Sequence, residues 1–484
     1  METRASFWFM VDKVFDLENS ASMRGRFMEF IFFLAGMVLL DGAVVCGASL
    51  KPEVELEEEV YSYEPANNGA GPLWCHGSTC LVRVGTNVFA SGLETLSDAR
   101  PLNNCRLTLF RRGANGWERI PVADEGRTRE PAPMATFADG RFFLSANPTL
   151  VADRNTYSGP ARPELLEFEA LRPNKFRRME PVWEGTPRFS EHSYRSLAAD
   201  SEMKELILLQ NIDYTHAEWS FLDRDGKWPA QGKLKWPVEN QKPIRLCYPN
   251  VAMRHRAVHF CGTSDIVEPN AEWRAHKKQI TGQEWDYTFR RLFYTWNPDI
   301  TTNQFRDWIE IANVDSTGGG ITLGDLWLGP DGVVHLLWTE RKIDERLREK
   351  FFPEQKQQHE LIHAAVRDGR IESRDILLAA KEGGAWEVPG RARFQVTPEN
   401  RLFVVFYVSG HDDKGKAISE NRALELKSDG SASEAVRFPL KHPLSEFMTA
   451  TVRAGSPRAD AIEMLGHAVG SHNTINYAKV RLNL

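Results

Sequence analysis

Apolar and polar positions alternate along short runs of this chain, and Gly, Asp or Asn turns separate the runs. Alternation with a period of two predicts β-strands. One unit recurs: a strand, a tight turn, a second and strongly apolar strand, then a polar break. The unit is clearest at residues 134–146, 326–338 and 394–407, and weaker copies occur at 81–90, 194–209, 248–260 and 449–465.

A second hairpin follows each copy and extends the unit to four strands. Such hairpins are visible at residues 107–120, 219–228, 292–309, 361–371 and 423–436. Equivalent positions recur every 54 to 76 residues, at His76, Met134, Tyr194, Asn250, Leu326, Phe394 and Met448. Seven four-stranded antiparallel sheets at this period predict an all-β fold, a seven-bladed β-propeller.

The two ends of the chain fit the same architecture. The seventh unit shows three strands, at 449–452, 461–465 and 475–482. Residues 60–63 have strand character but no blade of their own, so we expect this N-terminal strand to supply the fourth strand and close the ring. A jelly roll with a second β-domain is the rival architecture, but no Pro- or Ser-rich linker interrupts residues 66–484. We therefore expect a single domain over residues 50–484.

The amino terminus carries a targeting pattern. Arg24 and Arg26 precede an apolar run of 11 residues at 30–40, and small residues follow as far as Ser49. A run of this length suits the core of a signal peptide and is too short to span a bilayer. We predict a signal region at 1–49, cleaved near Ala48, and a secreted or periplasmic protein without a membrane span. Met23 is an alternative start that would make residues 1–22 an artefact, and the alternatives to cleavage are a lipid anchor at Cys46 and an uncleaved membrane-proximal helix.

Composition narrows the choice of partners. The formal net charge is −6 and no strongly basic block occurs, so nucleic acid is not an expected partner. Five cysteines are left after removal of the signal; Cys247 and Cys261 flank a predicted turn, where they form either a disulfide or two buried free thiols. No Cys-x-x-Cys pair indicates a zinc ribbon or a redox motif. We predict a monomer without a cofactor, and a structural cation is left open.

Several of the second hairpins carry residues that match a known turn motif. The match to the pattern Ser-x-Asp-x-Gly-x-x-Trp involves Ser220, Asp223, Asp225, Gly226 and Trp228. Longer and minimal variants comprise Tyr294, Asn297, Asp299 and Trp308, and Asn115-Gly116-Trp117. The chain thus resembles the sialidase-like (BNR/Asp-box) β-propeller superfamily. In that superfamily the carboxylate caps backbone N–H groups and the Trp packs between blades, so the motif implies a fold rather than an activity.

A second resemblance lies on a predicted inner strand. There, Cys247-Tyr248-Pro249-Asn250 is similar to propeller polysaccharide lyases of the ulvan-lyase type. Those enzymes place His, Tyr and Arg around the central cavity and cleave uronic-acid-containing chains by β-elimination. The resemblance implies histidine positions at His192 and His216 and the tyrosine position at Tyr248. Where the family has an arginine one strand later, this chain has Thr263, Ser264 and Asp265.

The predicted topology brings the starts of the inner strands and the loops after the second strands to one central opening. Candidate catalytic residues at these positions are His192, Tyr194, Arg195, Tyr248 and Glu340. Candidate substrate-binding residues are Glu94, Asp213, His216, Asp265, Trp273, Arg341, Arg393 and His411. His76 and Arg391 also stand at inner-strand starts. Because loop residues are usually polar, a rim without function is the alternative, and the long loops at 266–286 and 341–358 either wall a groove or only pack on each other.

Three chemistries are compatible with these residue types. Retaining hydrolysis of the sialidase kind uses a Tyr nucleophile, a Glu and an arginine cluster, whereas β-elimination uses a cation that neutralises a uronate and a Tyr or His base. Metal-assisted chemistry has weak support, because the adjacent His411 and Asp412 would point apart on a strand. We therefore expect a secreted carbohydrate-active propeller that acts on an acidic polysaccharide or oligosaccharide, as glycoside hydrolase or polysaccharide lyase. A non-catalytic propeller that binds glycans or proteins is the alternative.

Overall fold

The alternating runs of the sequence form sheets whose strands follow one another in chain order. The computed structural model describes residues 50–122 and 126–484. Within these residues lie seven four-stranded antiparallel sheets, which confirms the predicted seven-bladed β-propeller. The first strands of neighbouring sheets contact each other and therefore line the centre. The signal region predicted at 1–49, with Cys46 and Ala48, lies outside the described residues.

We number the blades 1 to 7 in chain order and give their strands from the centre outward. Blade 1 has the strands Leu81–Val84, Asn87–Thr95, Cys105–Gly113 and Gly116–Ile120. Blade 2 has Met134–Thr136, Arg141–Ala146, Glu164–Glu169 and Phe176–Met179. Blade 3 has Ser196–Asp200, Glu205–Ile212, His216–Leu222 and Ala230–Lys235. The strands of blades 4 and 5 are Leu246–Arg254, Ala257–Ser264, Arg291–Asn297 and Ile309–Asn313; and Gly318–Leu328, Val334–Ile343, Gln358–Arg367 and Arg370–Lys381. The strands of blades 6 and 7 are Trp386–Val396, Leu402–His411, Ala417–Leu426 and Val436–Arg437; and Leu444–Thr449, Ala461–Ala468, Thr474–Arg481 and Glu53–Ser62.

The second strand of blade 6 shows why the apolar runs are so continuous. Val404 and Phe406 pack into the cluster between blades 5 and 6, whereas Phe403 and Val405 pack into the cluster between blades 6 and 7. Successive side chains of a strand point to opposite faces, and both faces of a blade are covered by its neighbours. Such a strand must therefore be apolar at every position rather than at every second one.

Strands from both ends of the chain share blade 7. The N-terminal strand Glu53–Ser62 pairs antiparallel with Thr474–Arg481. It is longer than the predicted 60–63. The inner strand is Leu444–Thr449 rather than the predicted 449–452, because the chain turns into a short 3-10 helix at Val452–Ala454.

The N-terminal strand also binds blade 1. The Tyr61 ring stacks on Phe110 with centroids 4.7 Å apart, and the Tyr61 hydroxyl accepts a hydrogen bond from Leu93 N at 3.2 Å. Arg112 of blade 1 donates two hydrogen bonds to the Glu58 carboxylate. The first and last blades are therefore joined through side chains of one strand.

Two α-helices lie in loops of blades 4 and 5. The helix Ala271–Thr281 lies within the long loop of blade 4; its N-cap Asn270 accepts from two backbone N–H groups, and Gly282 ends it at φ 71°. The helix Glu345–Phe351 follows the second strand of blade 5 and has Asp344 as N-cap. Small two-stranded sheets pair Val238–Glu239 with Lys242–Pro243 and Ile266–Val267 with Tyr287–Thr288. Neither α-helix has the length and apolar composition that a bilayer crossing requires within the described part of the chain.

The Asp turn of blade 3 has the bonding that the first resemblance implies. Asp223 Oδ1 accepts hydrogen bonds from Asp225 N at 3.0 Å and from Lys227 N at 2.9 Å. Trp228 packs partly buried against the cluster between blades 2 and 3. The turn is therefore structural, and membership of the sialidase-like superfamily stays a prediction.

All five cysteines of the described residues are free and buried. In the strand register, Cys247 stands opposite Thr263, and Cys261 stands opposite Asn250. The two thiols are thus offset along the hairpin. The sequence leaves open a disulfide or two buried free thiols for this pair, and the structure has the free thiols.

A loop of the chain itself closes the centre of the ring. We call residues 71–80 the plug, because they contact the inner strands of blades on several sides. The carbonyl of His76 accepts from Arg393 Nη2 at 2.9 Å, and the carbonyl of Gly77 accepts from Arg453 Nη1 at 2.6 Å. Ser78 Oγ bonds Ser196 Oγ at 3.2 Å. One face of the plug carries the central side chains described below, and the turns that follow the inner strands line a separate depression of about 980 Å³.

Candidate functional site

Four rings meet at the centre, next to the plug. The Tyr194 ring lies at centroid distances of 4.6 Å from His192 and 5.1 Å from Tyr248. Trp74 of the plug stacks on Tyr194 at 4.9 Å with an interplanar angle of 12°. Arg129 covers Trp74 with its guanidinium carbon 5.6 Å from the ring. The topology thus brings together three residues predicted for catalysis, from the starts of blades 3 and 4.

Asp265 holds Tyr194 in this group. The Tyr194 hydroxyl donates to Asp265 Oδ2 at 2.9 Å, and Arg245 Nη2 lies 2.5 Å from the same oxygen. Burial raises the pKa of Asp265, and Arg245 and Tyr194 offset part of this effect. The Arg245 guanidinium also lies 4.0 Å from the ring centre of Tyr214 and 5.2 Å from that of Tyr287. Asp265 therefore positions Tyr194 rather than offering a free carboxylate.

Glu130 positions His192, as Asp265 positions Tyr194. Ser193 donates to the Glu130 carboxylate through its N–H at 3.0 Å and its hydroxyl at 2.6 Å, and His192 Nδ1 lies 3.2 Å from Glu130 Oε1. Burial would raise the pKa of Glu130, but hydrogen bonds from His192 and Ser193 and the charge of Arg195 outweigh burial, so that the pKa is lowered. A buried carboxylate thus orients the His192 ring, whose side chain is 30% exposed.

A third group joins the plug to blades 4 and 6. The His76 and Tyr248 rings lie 5.0 Å apart, and Arg391 interacts electrostatically with both. Burial lowers the pKa of His76 well below its ordinary value, and the charges of Arg391 and Arg393 lower it further. Burial raises the pKa of Tyr248. Near neutral pH the imidazole is therefore uncharged and the phenol is protonated.

Arg391 has unused bonding capacity. Its Nη1 is buried and has no hydrogen-bond partner among the described residues, and its Nη2 is 3.7 Å from Glu446 Oε1. A buried guanidinium N–H without a partner carries a desolvation cost, which a bound anion would relieve. The position is thus suited to receive a carboxylate.

A cleft of about 630 Å³, lined by Arg391 of this group, spans blades 4 to 7. Phe289 lines the cleft and lies 6.0 Å from Tyr248, so the cleft adjoins the central rings. Arg341 and Arg391 both line it, and Arg341 Nε is also buried without a partner in the described part of the chain. The volume is in the range of pockets that bind small molecules or short chain segments.

Buried ion pairs hold one wall of the cleft. Lys277 Nζ and Arg290 Nη2 both lie 2.6 Å from Glu268 Oε2. Arg346 links the two long loops through Asp286 at 3.0 Å and Asp344 at 2.6 Å. The two loops therefore form a rigid unit beside the cleft.

Two predicted arginines lie below the opening instead of on it. Arg195 bonds the carbonyls of Ser145 and Pro131, and Arg393 bonds those of Gly324 and His76. Both arginines are 2% exposed. Their side chains start on inner strands but point between the strands, so they hold backbone carbonyls and do not reach a substrate.

Three more predicted positions are held by neighbouring side chains. Glu340 lines the cleft, and its carboxylate accepts from Trp338 Nε1 and from Arg374 of the same blade. Glu94 pairs with Arg106 and Arg119 of blade 1. Trp273 packs against Phe352 at 5.6 Å and under Arg290, which is the packing alternative for the long loops. Glu340 and Glu94 are thus engaged within their own blades, and Trp273 joins the two long loops.

The remaining predicted positions lie in a turn or at the end of a strand. Asp213 is exposed in a turn at φ 45°. His216, the second histidine position of the lyase resemblance, bonds Glu218 at 3.0 Å and Thr215 at 2.7 Å on the third strand of blade 3. His411 is exposed and bonds the carbonyl of Asp412. Of the thirteen candidates in the sequence, the structure thus gathers His192, Tyr194, Tyr248 and Asp265 at the centre and Glu340 and Arg341 in the cleft.

Several residues of the central site were not predicted, because nothing in the sequence pattern marks them as site residues. These are Trp74, Arg129, Glu130, Arg245, Tyr287 and Glu446. Most lie in connecting segments that the strand pattern leaves undefined. Within residues 50–122 and 126–484, no group of three His, Cys, Asp or Glu side chains is arranged to hold a metal ion.

Comparisons with known proteins concern architecture only. No protein-family model matches the chain, and no curated protein matches it. Among solved structures, a protein of unknown function from Dyadobacter fermentans aligns at 9% identity and TM-score 0.43, covering 89% of this chain and 99% of that one. The polysaccharide lyase Uly1 aligns at 10% identity and TM-score 0.37 over 89% and 100%, and a GH93 α-L-arabinofuranosidase of Fusarium graminearum at 8% and 0.40 over 72% and 92%. At these identities and TM-scores the matches carry no argument about activity.

Proposed function

We propose that the protein cleaves a uronic-acid-containing polysaccharide by β-elimination at the group formed by His76, Tyr248 and Arg391. One observation carries the proposal: Arg391, with an Nη1 that is buried and unpartnered among the described residues, lines a cleft and interacts electrostatically with a neutral imidazole and a protonated phenol. A cation, a base and an acid in one place are the groups that this reaction needs.

The roles follow from the charge of each group. Arg391 would bind and neutralise the uronate carboxylate, which makes the C5 proton more acidic. Uncharged His76 would accept the C5 proton. Tyr248 would donate its proton to the glycosidic oxygen leaving C4, as the C4–O bond breaks and the C4–C5 double bond forms. Proton exchange with water then restores both side chains.

The cleft supports a chain substrate. Arg341, with its unpartnered Nε, lines the same cleft as Arg391, so anionic groups on neighbouring sugars would find a second cation. A polymer is met outside the cell, and we propose export by the targeting pattern at residues 24–48. The substrate class is therefore an extracellular acidic polysaccharide.

The test is turnover on a panel of uronate-containing, sialylated and neutral glycans. We expect a rise in ultraviolet absorbance of unsaturated uronate with the uronate-containing glycans only. Tyr248→Phe and Arg391→Ala should each lower kcat/KM by about 100-fold or more. Tyr157→Phe is the matched control, because Tyr157 is 52% exposed and lies on a loop of blade 2. New reducing ends without absorbance would instead indicate hydrolysis and would contradict elimination.

The second candidate is a non-catalytic propeller that binds acidic glycans. It is favoured by the engagement of Asp265 and Glu130 with their own neighbours, which leaves the central rings without a free carboxylate. This candidate predicts binding of the same uronate-containing glycans with no turnover. It also predicts that Tyr248→Phe leaves the affinity unchanged.

A further inference from the structure

Cys75 and Cys80 approach each other inside the plug. Ser78 N donates to the carbonyl of Cys75 at 3.0 Å, which closes a four-residue turn and brings the chain back toward Cys75. The two Sγ atoms are 3.7 Å apart. Cys75 is 7% exposed and Cys80 is fully buried. An S–S bond is about 2 Å long, so the sulfurs must approach by less than about 2 Å.

We propose that Cys75 and Cys80 form a disulfide that staples the plug in the exported protein. The proposal is independent of the activity proposed above. The structure supplies no alternative pairing, because among the described residues this is the single close contact between two sulfur atoms. Cys105 contacts Asn68 and Asn104, and Cys247 and Cys261 are offset in their hairpin.

In the docked plug, the surroundings stabilise negative charge on Cys80 more than on Cys75. A hydrogen bond from the Cys75 thiol lowers the pKa of Cys80, and the charge of Arg195 acts in the same direction on both sulfurs. Thiolates, not thiols, carry out disulfide exchange. The buried Arg195 therefore does more than bind backbone carbonyls, because its charge also stabilises negative charge on Cys75 and Cys80.

The oxidant is a disulfide of low molecular weight, such as oxidised glutathione. Either thiolate can make the first attack; when it is Cys80, this thiolate attacks one glutathione sulfur and releases one glutathione thiolate, which leaves a mixed disulfide on Cys80. The Cys75 thiolate then attacks Cys80 Sγ and releases the second glutathione. The protein loses two hydrogen atoms, and oxidised glutathione is reduced to two thiols. Because both sulfurs are buried in the folded chain, this exchange occurs before the plug docks.

The crosslink would secure a segment on which several blades depend. The plug places Trp74 against Tyr194 and His76 against Tyr248. Its carbonyls also receive Arg393 and Arg453 from blades 6 and 7. A covalent loop between Cys75 and Cys80 restricts this segment in the unfolded chain, which stabilises the folded state.

Differential alkylation of the full chain, refolded in a glutathione redox buffer, tests the proposal. Free thiols are blocked with N-ethylmaleimide under denaturing conditions, and the protein is then reduced, treated with iodoacetamide and mapped by mass spectrometry. We expect the second label on Cys75 and Cys80, and the first label on Cys105, Cys247 and Cys261. The first label on Cys75 and Cys80, or the second label on any other pair, would overturn the proposal.

Thermal unfolding provides the second readout. Wild-type protein refolded with oxidised glutathione should unfold at a higher temperature than wild-type protein refolded with excess reductant. The double variant Cys75→Ser, Cys80→Ser should lose this entire difference, whereas Cys247→Ala should keep it. Equal unfolding temperatures for crosslinked and reduced wild-type protein would refute a stapling role, whatever the activity assay shows.

Discussion

Tyr194 and Tyr248 adopt backbone conformations that bulky residues avoid. Their φ angles are 40° and 50°, in the left-handed region. At Tyr248 the pairing with the next strand shifts register between Cys247 and Asn250, so the strand bulges and re-aims its side chain. Such a conformation costs about 1–3 kcal/mol, and residues of this kind cluster at functional sites. The strain is thus a residue-level reason to place chemistry at Tyr248.

The pH dependence of turnover tests the roles of His76 and Tyr248. His76 must be neutral to accept a proton, and its pKa is lowered, so activity should persist below the ordinary histidine pKa of about 6.5. Tyr248 must be protonated, and its pKa is raised, so activity should persist above the ordinary tyrosine pKa of about 10. The measurement is kcat/KM against pH on a uronate polymer. An acidic limb at or above about 6.5 would contradict the role of His76.

Prediction from the sequence brought together side chains that lie in or near the ends of strands. His192, Tyr194, Tyr248 and Asp265 were placed by counting strands, and they lie together. Arg195 and Arg393 were expected at the central opening but are buried. A strand pattern predicts where a residue stands along its blade, but not whether its side chain points inward between the strands.

The plug is the element on which the site depends, and Gly77 is its tightest point. A Cβ atom at Gly77 would lie 2.2 Å from the carbonyl oxygen of Pro249 and 2.4 Å from that of Tyr248. These are backbone atoms, so Gly77→Ala must displace the plug or the bulge at Tyr248. We expect a fall of about 2–4 kcal/mol in the free energy of unfolding, measured by urea denaturation.

Gly71→Ala is the matched control for this prediction. It lies in the same plug, and a Cβ atom there would have no neighbour within 4 Å. Its free energy of unfolding should change by less than about 0.5 kcal/mol. Equal effects of the two substitutions would show that the plug does not pack against blade 4 as described.

Nothing in the local pattern predicted the plug. His76 was expected at the start of an inner strand, but residues 71–80 contain Gly71, Pro72 and Gly77 and form no strand, and the inner strand of blade 1 begins at Leu81. Their position is set by partners far along the chain, Arg393 and Arg453, whose role is visible only in three dimensions. By contrast, the helix Glu345–Phe351 has a local signal in the sequence, because Leu347 and Phe351 stand four residues apart.

At the scale of the whole molecule, stability depends on the junction of blades 7 and 1. Tyr61→Ala would remove the ring that stacks on Phe110 and the hydroxyl that accepts from Leu93. We expect a loss of about 3–5 kcal/mol in the free energy of unfolding, by chemical denaturation. Tyr61→Phe keeps the ring and should lose only about 1 kcal/mol. Similar losses for both variants would mean that packing at the junction contributes little.

The architecture itself was accessible from sequence because it repeats. Each blade buries both faces of its second strand, so the same apolar run recurs seven times and errors at single strands do not change the count. The N-terminal strand was expected at 60–63 but spans Glu53–Ser62, because its five glutamates hide the alternation of apolar and polar positions.

The most direct measurement compares one uronate polysaccharide with its carboxyl-reduced form, in which each uronate is a neutral sugar. Without the carboxylate, Arg391 has no anion to bind and the C5 proton is no longer acidic. We expect ultraviolet absorbance of unsaturated uronate to rise with the native polymer and no cleavage of the reduced one. Cleavage of both polymers at similar rates, or of neither, would contradict elimination at His76, Tyr248 and Arg391.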